Sequence, residues 1–107
     1  ERYETQEEIL NIVAEYRRRG IGLDGIVLDW CSWTGDQWGQ KTFDPERFPN
    51  PKEMTDKLHE NNAHFMISIW PNMREGTDNY REFSEQQLLI PASEIYDAFN
   101  PKARELY

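Results

Sequence analysis

The chain has little of what metal, redox or nucleic-acid sites require. Its 107 residues include one cysteine, Cys31, which excludes an internal disulfide and a thiolate metal cluster. Only 12 residues are Lys or Arg against 20 Asp or Glu, so the formal net charge is -8. Nucleic acids and anionic membranes select basic surfaces, and no apolar run is long enough to span a bilayer. We therefore expect no nucleic-acid or membrane partner, and an uncharged ligand fits better.

Metal-ligand and nucleophile patterns are missing as well. His59 and His64 have no Cys, His or carboxylate set at metal-binding spacing, which predicts structural histidines. A nucleophilic Cys31 would need a histidine that the spacing does not supply, and the glycines form no phosphate-binding loop. We expect no metal and no cofactor.

The first half of the chain predicts a helix followed by a strand. Apolar residues recur at helical spacing between Thr5 and Arg19, with Thr5 as the N-cap and Gly20 in the left-handed position after the helix. The arginines at the end of this helix, Arg17 to Arg19, are predicted to be solvated. The segment Asp24–Trp30 is mostly apolar and β-branched, which is typical of a strand buried on both faces.

The rest of the chain repeats this order. Asn50 and Pro51 begin a helix that ends near Asn61, and His64–Trp70 is the next buried strand. A third Asn-Pro pair begins a helix at Pro101. Because the helix-to-strand links are very short, right-handed crossovers predict adjacent parallel strands. The predicted fold class is α/β, a partial (β/α)8 TIM barrel of about two strand-helix units, with a doubly wound sheet as the alternative.

The strand-to-helix segments are much longer. Residues 31–49 contain turn residues and aromatics, which indicates an ordered loop. Residues 73–93 are polar enough for a mobile lid or an excursion to a neighbouring domain. Two strands cannot complete a sheet, so we expect the chain to be a fragment of a larger domain.

All four tryptophans lie at or just beyond the ends of the predicted strands. Asp29 and Trp30 end the first strand, and Trp70 ends the second. In parallel α/β sheets the carboxyl ends of the strands build the ligand site. A carboxylate accepts two sugar hydroxyl protons, and an indole covers the apolar face of a pyranose. This pattern predicts sugar recognition, whereas Trp33 and Trp38 either line the pocket or pack their loop.

The sequence does not identify a catalytic pair of acids. Glycoside hydrolysis needs two carboxylates at a defined separation, and several loop carboxylates lie at the same end. Two of these, Asp36 and Asp44, have an ordinary interpretation as turn residues. Asp24 and Asp29 lie on opposite faces of one predicted strand, and the rise per residue in a strand separates them by about 16 Å. The prediction is therefore limited to binding residues.

Several blocks of the sequence, in their order, resemble glycoside hydrolase family 31, close to its α-xylosidase and α-glucosidase branch. These blocks are GIVLDW at 25–30, TFDPERFP at 42–49, MISIWP at 66–71 and YDAFNP at 96–101. The resemblance implies a retaining α-glycosidase on a (β/α)8 barrel. Residues 1–107 would then be a fragment of a single catalytic domain, running from its first helix through strands two and three to its third helix.

The resemblance also implies roles for single residues. By position, Asp29 and Trp70 match the residues that hold the non-reducing sugar, and Trp30 and Trp33 are further candidates for substrate binding. The nucleophile and acid/base aspartates belong to motifs that do not occur in this sequence. The implied partners are an oligosaccharide substrate and the remainder of the barrel. The alternatives are a non-catalytic carbohydrate-binding fragment and a structural fragment whose aromatics contact the rest of the barrel.

Overall fold

A computed structural model describes residues 1–107 and divides the chain into two compact units. The first unit comprises residues 1–32 and 43–68, and the second comprises residues 33–42 and 69–107. Each unit has its own cluster of buried apolar side chains. The helices are all too short or too polar to cross a bilayer.

The first unit consists of two helices and a two-stranded parallel sheet. Its elements are α1 (Gln6–Arg18), β1 (Gly25–Asp29), α2 (Pro51–Glu60) and β2 (His64–Ser68). The strands are adjacent, with Gly25 opposite His64 and Asp29 opposite Ser68. The predicted order and the parallel pairing are confirmed, and both are consistent with part of a barrel. The strands are shorter than predicted, because pairing stops before each tryptophan.

Local sequence signals set the ends of both helices in the first unit. Thr5 and Asn50 cap α1 and α2, and each side-chain oxygen accepts a hydrogen bond from the amide three residues later. Beyond the helices, Gly20 and Asn62 adopt left-handed conformations with φ of 66° and 55°. Both ends have the paired backbone hydrogen bonds of a Schellman motif. The helices therefore begin and end close to where the sequence predicts.

The sheet is buried on one face only, so the prediction of strands buried on both faces is wrong for this chain. Ile26 and Leu28 are 5% and 0% exposed and share one core with the apolar sides of α1 and α2. On the opposite face, Val27 and Met66 are 39% and 63% exposed. The reason is that both helices pack against the same face, and no element of the unit covers the other one.

The second unit contains a helix that the sequence did not predict. The elements of the second unit are α3 (Asp78–Glu85), which is the unpredicted helix, and α4 (Pro101–Leu106). Thr77 caps α3 by accepting a hydrogen bond from the Tyr80 amide at 3.1 Å. Phe83 of α3 is buried with Met73, Leu88 and Ala103. The segment 73–93 thus contributes buried apolar side chains to a packed core, which its polar composition does not indicate.

Candidate functional site

Asp29 is the last residue of β1, and it is exposed. Pairing with Ser68 of β2 fixes its backbone from one side, and its amide donates to the carbonyl of Glu1 at 2.8 Å from the other. None of the salt bridges in the chain includes Asp29. The carboxylate is therefore held on a rigid backbone while its oxygens stay available to a ligand.

A strained turn follows Asp29. Trp30 and Cys31 both adopt left-handed conformations, with φ of 57° and 55°. This region costs a residue other than glycine roughly 1–2 kcal/mol, and such strain concentrates at functional sites. The Trp30 indole is 37% exposed, and the guanidinium carbon of Arg2 lies 4.8 Å from its ring centroid. The structure thus presents a carboxylate and a partly exposed indole from adjacent positions.

The second unit contains Trp33, Trp38 and Trp70. Trp33 is only 4% exposed, so its ring is buried in this structure, and its predicted contact with substrate stays a prediction. Trp38 and Trp70 are each 39% exposed, and their rings meet edge to face with centroids 5.4 Å apart. Of the loop tryptophans, Trp38 is therefore the one that lies against Trp70.

Two donors converge on the backbone carbonyl of Trp70. The Lys41 ammonium donates to it, and the Tyr107 hydroxyl donates to it at 2.9 Å. The same ammonium donates to the Gly39 carbonyl at 2.6 Å and lies 5.1 Å from the Tyr107 ring centroid. Burial lowers the pKa of Lys41 to about 8. The backbone of Trp70 is thus held from two sides while its indole stays partly exposed.

Sequence reasoning missed Lys41 and Arg47, and it was wrong about Arg17. Arg17 is not simply solvated, because its guanidinium donates to four backbone carbonyls. Arg47 donates to three carbonyls in the same way. All these acceptors are backbone oxygens, which leave no pattern in the sequence. The prediction that Asp44 is a turn residue is confirmed, because its carboxylate accepts hydrogen bonds from the amides of two following residues.

Other chemical groups do not assemble into a second site. The rings of His59 and His64 lie 6.3 Å apart, and no group of three or more His, Cys, Asp or Glu side chains is placed to hold a metal ion. A cavity of about 500 Å³ lies along the outer side of α1. Another of about 590 Å³ lies beside α3 in the second unit. Neither cavity is lined by Asp29, Trp30, Trp33 or Trp70, so neither is the predicted sugar site.

The chain is similar to known proteins over its whole length. The sequence model of the "Glycosyl hydrolases family 31 TIM-barrel domain" matches residues 1–107. An α-xylosidase of Saccharolobus solfataricus is 37% identical over the whole chain, which corresponds to 15% of that enzyme. The chain thus spans about a seventh of the length of this relative.

Solved structures give the same result. The crystal structure of a family 31 α-xylosidase from Xanthomonas citri superposes with a TM-score of 0.83 at 38% identity, over 97% of this chain and 13% of that one. An α-xylosidase from a soil metagenome, solved in complex with xylose, superposes with a TM-score of 0.86 at 31% identity, over 98% of this chain and 17% of that one. At these identities, the likeness extends to both sequence and fold.

Proposed function

Since this chain belongs to glycosyl hydrolase family 31, within its TIM-barrel domain, we propose that it is part of a retaining α-glycosidase. In this proposal residues 1–107 form a fragment of a single (β/α)8 catalytic domain, with β1 and β2 as its second and third strands. The enzyme hydrolyses terminal α-linked sugars from oligosaccharides. The nucleophile and the acid/base aspartate lie outside this piece.

The sugar that we propose is α-linked xylose. Support comes from the α-xylosidases that match nearly the whole chain at 31–38% identity. The α-glucosidases of the same branch provide the alternative substrate, glucose. A xylopyranose and a glucopyranose share the hydroxyls that a carboxylate can bind, and they differ in one hydroxymethyl group. The choice between them therefore depends on space around the sugar.

Asp29 supports the proposal most strongly. It is an exposed carboxylate at the carboxyl end of a parallel strand, in no salt bridge, and an indole follows it directly. We propose that Asp29 accepts two hydroxyl protons of the terminal sugar and that Trp30 and Trp70 contact its apolar surface. Trp33 keeps a role in binding as part of the proposal, although it is 4% exposed in this structure. These are binding roles, and no residue of this chain is proposed as catalytic.

Such binding residues contribute to the rate by positioning. Hydrolysis with retention proceeds in two displacements through a glycosyl-enzyme intermediate, and each needs the anomeric carbon in line with the attacking oxygen. A sugar whose hydroxyls are held by a rigid carboxylate loses its orientational freedom before the reaction begins. An indole over the ring also displaces water from the apolar side of the sugar. Loss of these contacts is therefore expected to lower kcat/KM without loss of the fold.

The test is hydrolysis by the longer protein that contains this chain. We expect release of the aryl group from an aryl α-xyloside, with α-xylose as the first product seen by proton NMR. An aryl β-xyloside serves as the matched control and should not be cleaved. Faster cleavage of the aryl α-glucoside would select the glucosidase alternative. β-Xylose as the first product, or binding of xylose by calorimetry without any turnover, would contradict the proposed activity.

A further inference from the structure

The turn that follows β1 is strained, and the Arg47 guanidinium donates to the carbonyl of Cys31 within it. We propose that Arg47 is a positioning residue that holds Asp29 and Trp30 in the orientation for binding sugar. This inference rests on the proposed function for its kinetic consequence. Its structural part, the restraint of residues 29–31, stands on contacts within the first unit alone.

Arg47 joins the segments that lie on either side of Asp29. Its Nη1 donates to the carbonyl of Cys31 at 2.6 Å, two residues after Asp29. Its Nε donates to the Glu4 carbonyl at 2.8 Å, and its Nη2 donates to the Tyr3 carbonyl at 3.1 Å. The planar fork of arginine presents several N–H donors in fixed, divergent directions, which suits three carbonyls from two separate segments.

The segment before Glu4 is itself tied to β1. The amino group of Glu1 donates to the Val27 carbonyl at 3.1 Å, and the Glu1 carbonyl accepts from the Asp29 amide at 2.8 Å. Arg47 therefore links the stretch that pairs beside β1 to the turn that leaves it. Asp29 and Trp30 lie between these two segments, so the guanidinium restrains the backbone that carries both side chains.

The backbone of Arg47 is fixed independently of its side chain. The Asp44 amide donates to the Ser32 carbonyl at 2.7 Å, and the Arg47 carbonyl accepts from the Gln6 amide at 2.9 Å. The next side chain, Phe48, is 1% exposed, and the Arg47 guanidinium lies 5.0 Å from its ring centroid. The loop thus delivers the guanidinium to the strained turn from a rigid support, and a shorter or uncharged side chain here would leave the loop in place.

The chain contains a matched control for this arrangement. Arg17 uses the same chemistry at the opposite ends of the strands, where its guanidinium donates to the carbonyls of Leu23 at 2.6 Å and of Asn61 at 2.8 Å. Leu23 precedes β1, and Asn61 precedes β2. Substitution of either arginine by lysine removes several bonds to carbonyls. Only the substitution at Arg47 loosens the end of β1 that carries Asp29.

The experiment compares Arg47→Lys with Arg17→Lys in the longer protein. We expect both variants to lower the midpoint of urea unfolding, since each removes bonds of the same kind. For a small aryl α-xyloside, Arg47→Lys should lower kcat/KM about 10-fold, mainly through a higher KM. The size of this decrease corresponds to the loss of one charged hydrogen bond between a displaced Asp29 and the sugar. Arg17→Lys should stay within about twofold of the wild type. Equal kinetic effects of the two substitutions would overturn the positioning role.

A second readout does not depend on catalysis. Alkylation of the Cys31 thiol, followed by peptide mass spectrometry under native conditions, reports how freely the turn opens. Arg47→Lys should accelerate the labelling about 10-fold relative to Arg17→Lys, because only the former releases the Cys31 carbonyl. Unchanged labelling would contradict the inference. Accelerated labelling in a protein without glycosidase activity would refute the proposed function and leave the restraint by Arg47 intact.

A rescue variant covers the case in which Arg47→Lys does not fold. Glycine adopts the left-handed conformation without strain. Cys31→Gly should therefore relax the turn and restore folding, together with part of the kcat/KM, to Arg47→Lys. The same second substitution should not rescue Arg17→Lys. If Cys31→Gly rescues neither variant or both, Arg47 does not act through the strained turn, and the inference fails.

Discussion

Lys41 shows how a loop residue can hold the backbone of an aromatic residue. Its ammonium donates to the carbonyls of Gly39 and Trp70 and lies over the ring of Tyr107. Lys41 is partly buried, and burial disfavours its charged form, so the pKa falls to about 8. The charge is therefore retained at neutral pH at a cost in stability, and the carbonyls that surround it offset part of this cost.

The lowered pKa of Lys41 predicts a specific pH dependence of stability. An unfolded lysine has a pKa near 10.4, so between about pH 8 and 10 the unfolded state binds more protons than the folded state. The contribution of Lys41 to the free energy of unfolding should therefore rise with pH across this window. Urea titrations between about pH 7.5 and 9.5 should show the rise in the wild type and a smaller one in Lys41→Met.

Lys57→Met is the matched control for this prediction. The carboxylate of Glu53 raises the pKa of Lys57 above 10.5, so its titration lies above the window. This variant should keep the slope of the wild type. Burial also raises the pKa of Tyr3 and Tyr107 above 10.0, which lowers stability only above that pH. Parallel slopes for the wild type and Lys41→Met would contradict the burial of the Lys41 charge.

The role of some residues can be predicted from the sequence, and the role of others cannot. Asp29 is conspicuous because a carboxylate at the end of an apolar strand needs an explanation. Lys41 and Arg47 are not, because basic residues in polar loops are common and their acceptors here are backbone carbonyls. Arg17 was predicted to be solvated for the same reason. The partner of a guanidinium becomes visible only when the fold brings distant carbonyls together.

At the scale of elements, three of the helices end in the same way. After α1, α2 and α3, the residues Gly20, Asn62 and Gln87 adopt left-handed conformations with φ of 66°, 55° and 57°. At each end the following amide donates to the carbonyl five residues earlier. Gly suits this position, Asn tolerates it, and Gln does not favour it. The end of α3 is therefore the most strained of the three.

The strain at the end of α3 predicts a stabilising substitution. Gln87 is exposed and left-handed, so Gln87→Gly relieves its strain without loss of a buried side chain. We expect the free energy of unfolding to rise by about 1 kcal/mol, as measured by urea titration.

The neighbouring glutamine provides the control for Gln87→Gly. Gln86 has a φ of -91°, an ordinary value, so glycine has no conformational advantage there. Gln86→Gly should lower the free energy of unfolding by about 0.5 kcal/mol, because the unfolded chain gains entropy. Destabilisation of similar size in both variants would show that the end of α3 is not strained.

Most elements could be predicted because their signals are local. A cap followed by an apolar periodicity identified α1 and α2, and an Asn-Pro pair identified the start of α4. The helix α3 has a comparable signal in the Thr77 cap and the spacing of Tyr80 and Phe83. Its polar composition concealed this signal. Whether a strand is covered on one face or two depends on elements distant in sequence, and this is where the prediction was wrong.

At the scale of the whole molecule, the uncovered sheet face is the most informative feature. Val27 and Met66 are exposed apolar side chains on a parallel sheet, whose faces are normally both covered. The chain also spans only 13–17% of the length of the α-xylosidases that it matches. In the proposed fragment of a (β/α)8 barrel this face lines the barrel interior, and the other strands supply the missing cover.

The central claim is that Asp29 binds the terminal sugar of an α-glycoside. The most direct measurement is kcat/KM for an aryl α-xyloside in the longer protein, with Asp29→Ala compared to Asp24→Ala. Asp24 is an exposed carboxylate just before the same strand, so it controls for the loss of charge. Loss of two charged hydrogen bonds predicts a decrease of about 100-fold for Asp29→Ala. Asp24→Ala should stay near the wild type. Near-normal kcat/KM for Asp29→Ala in a folded protein would contradict the account.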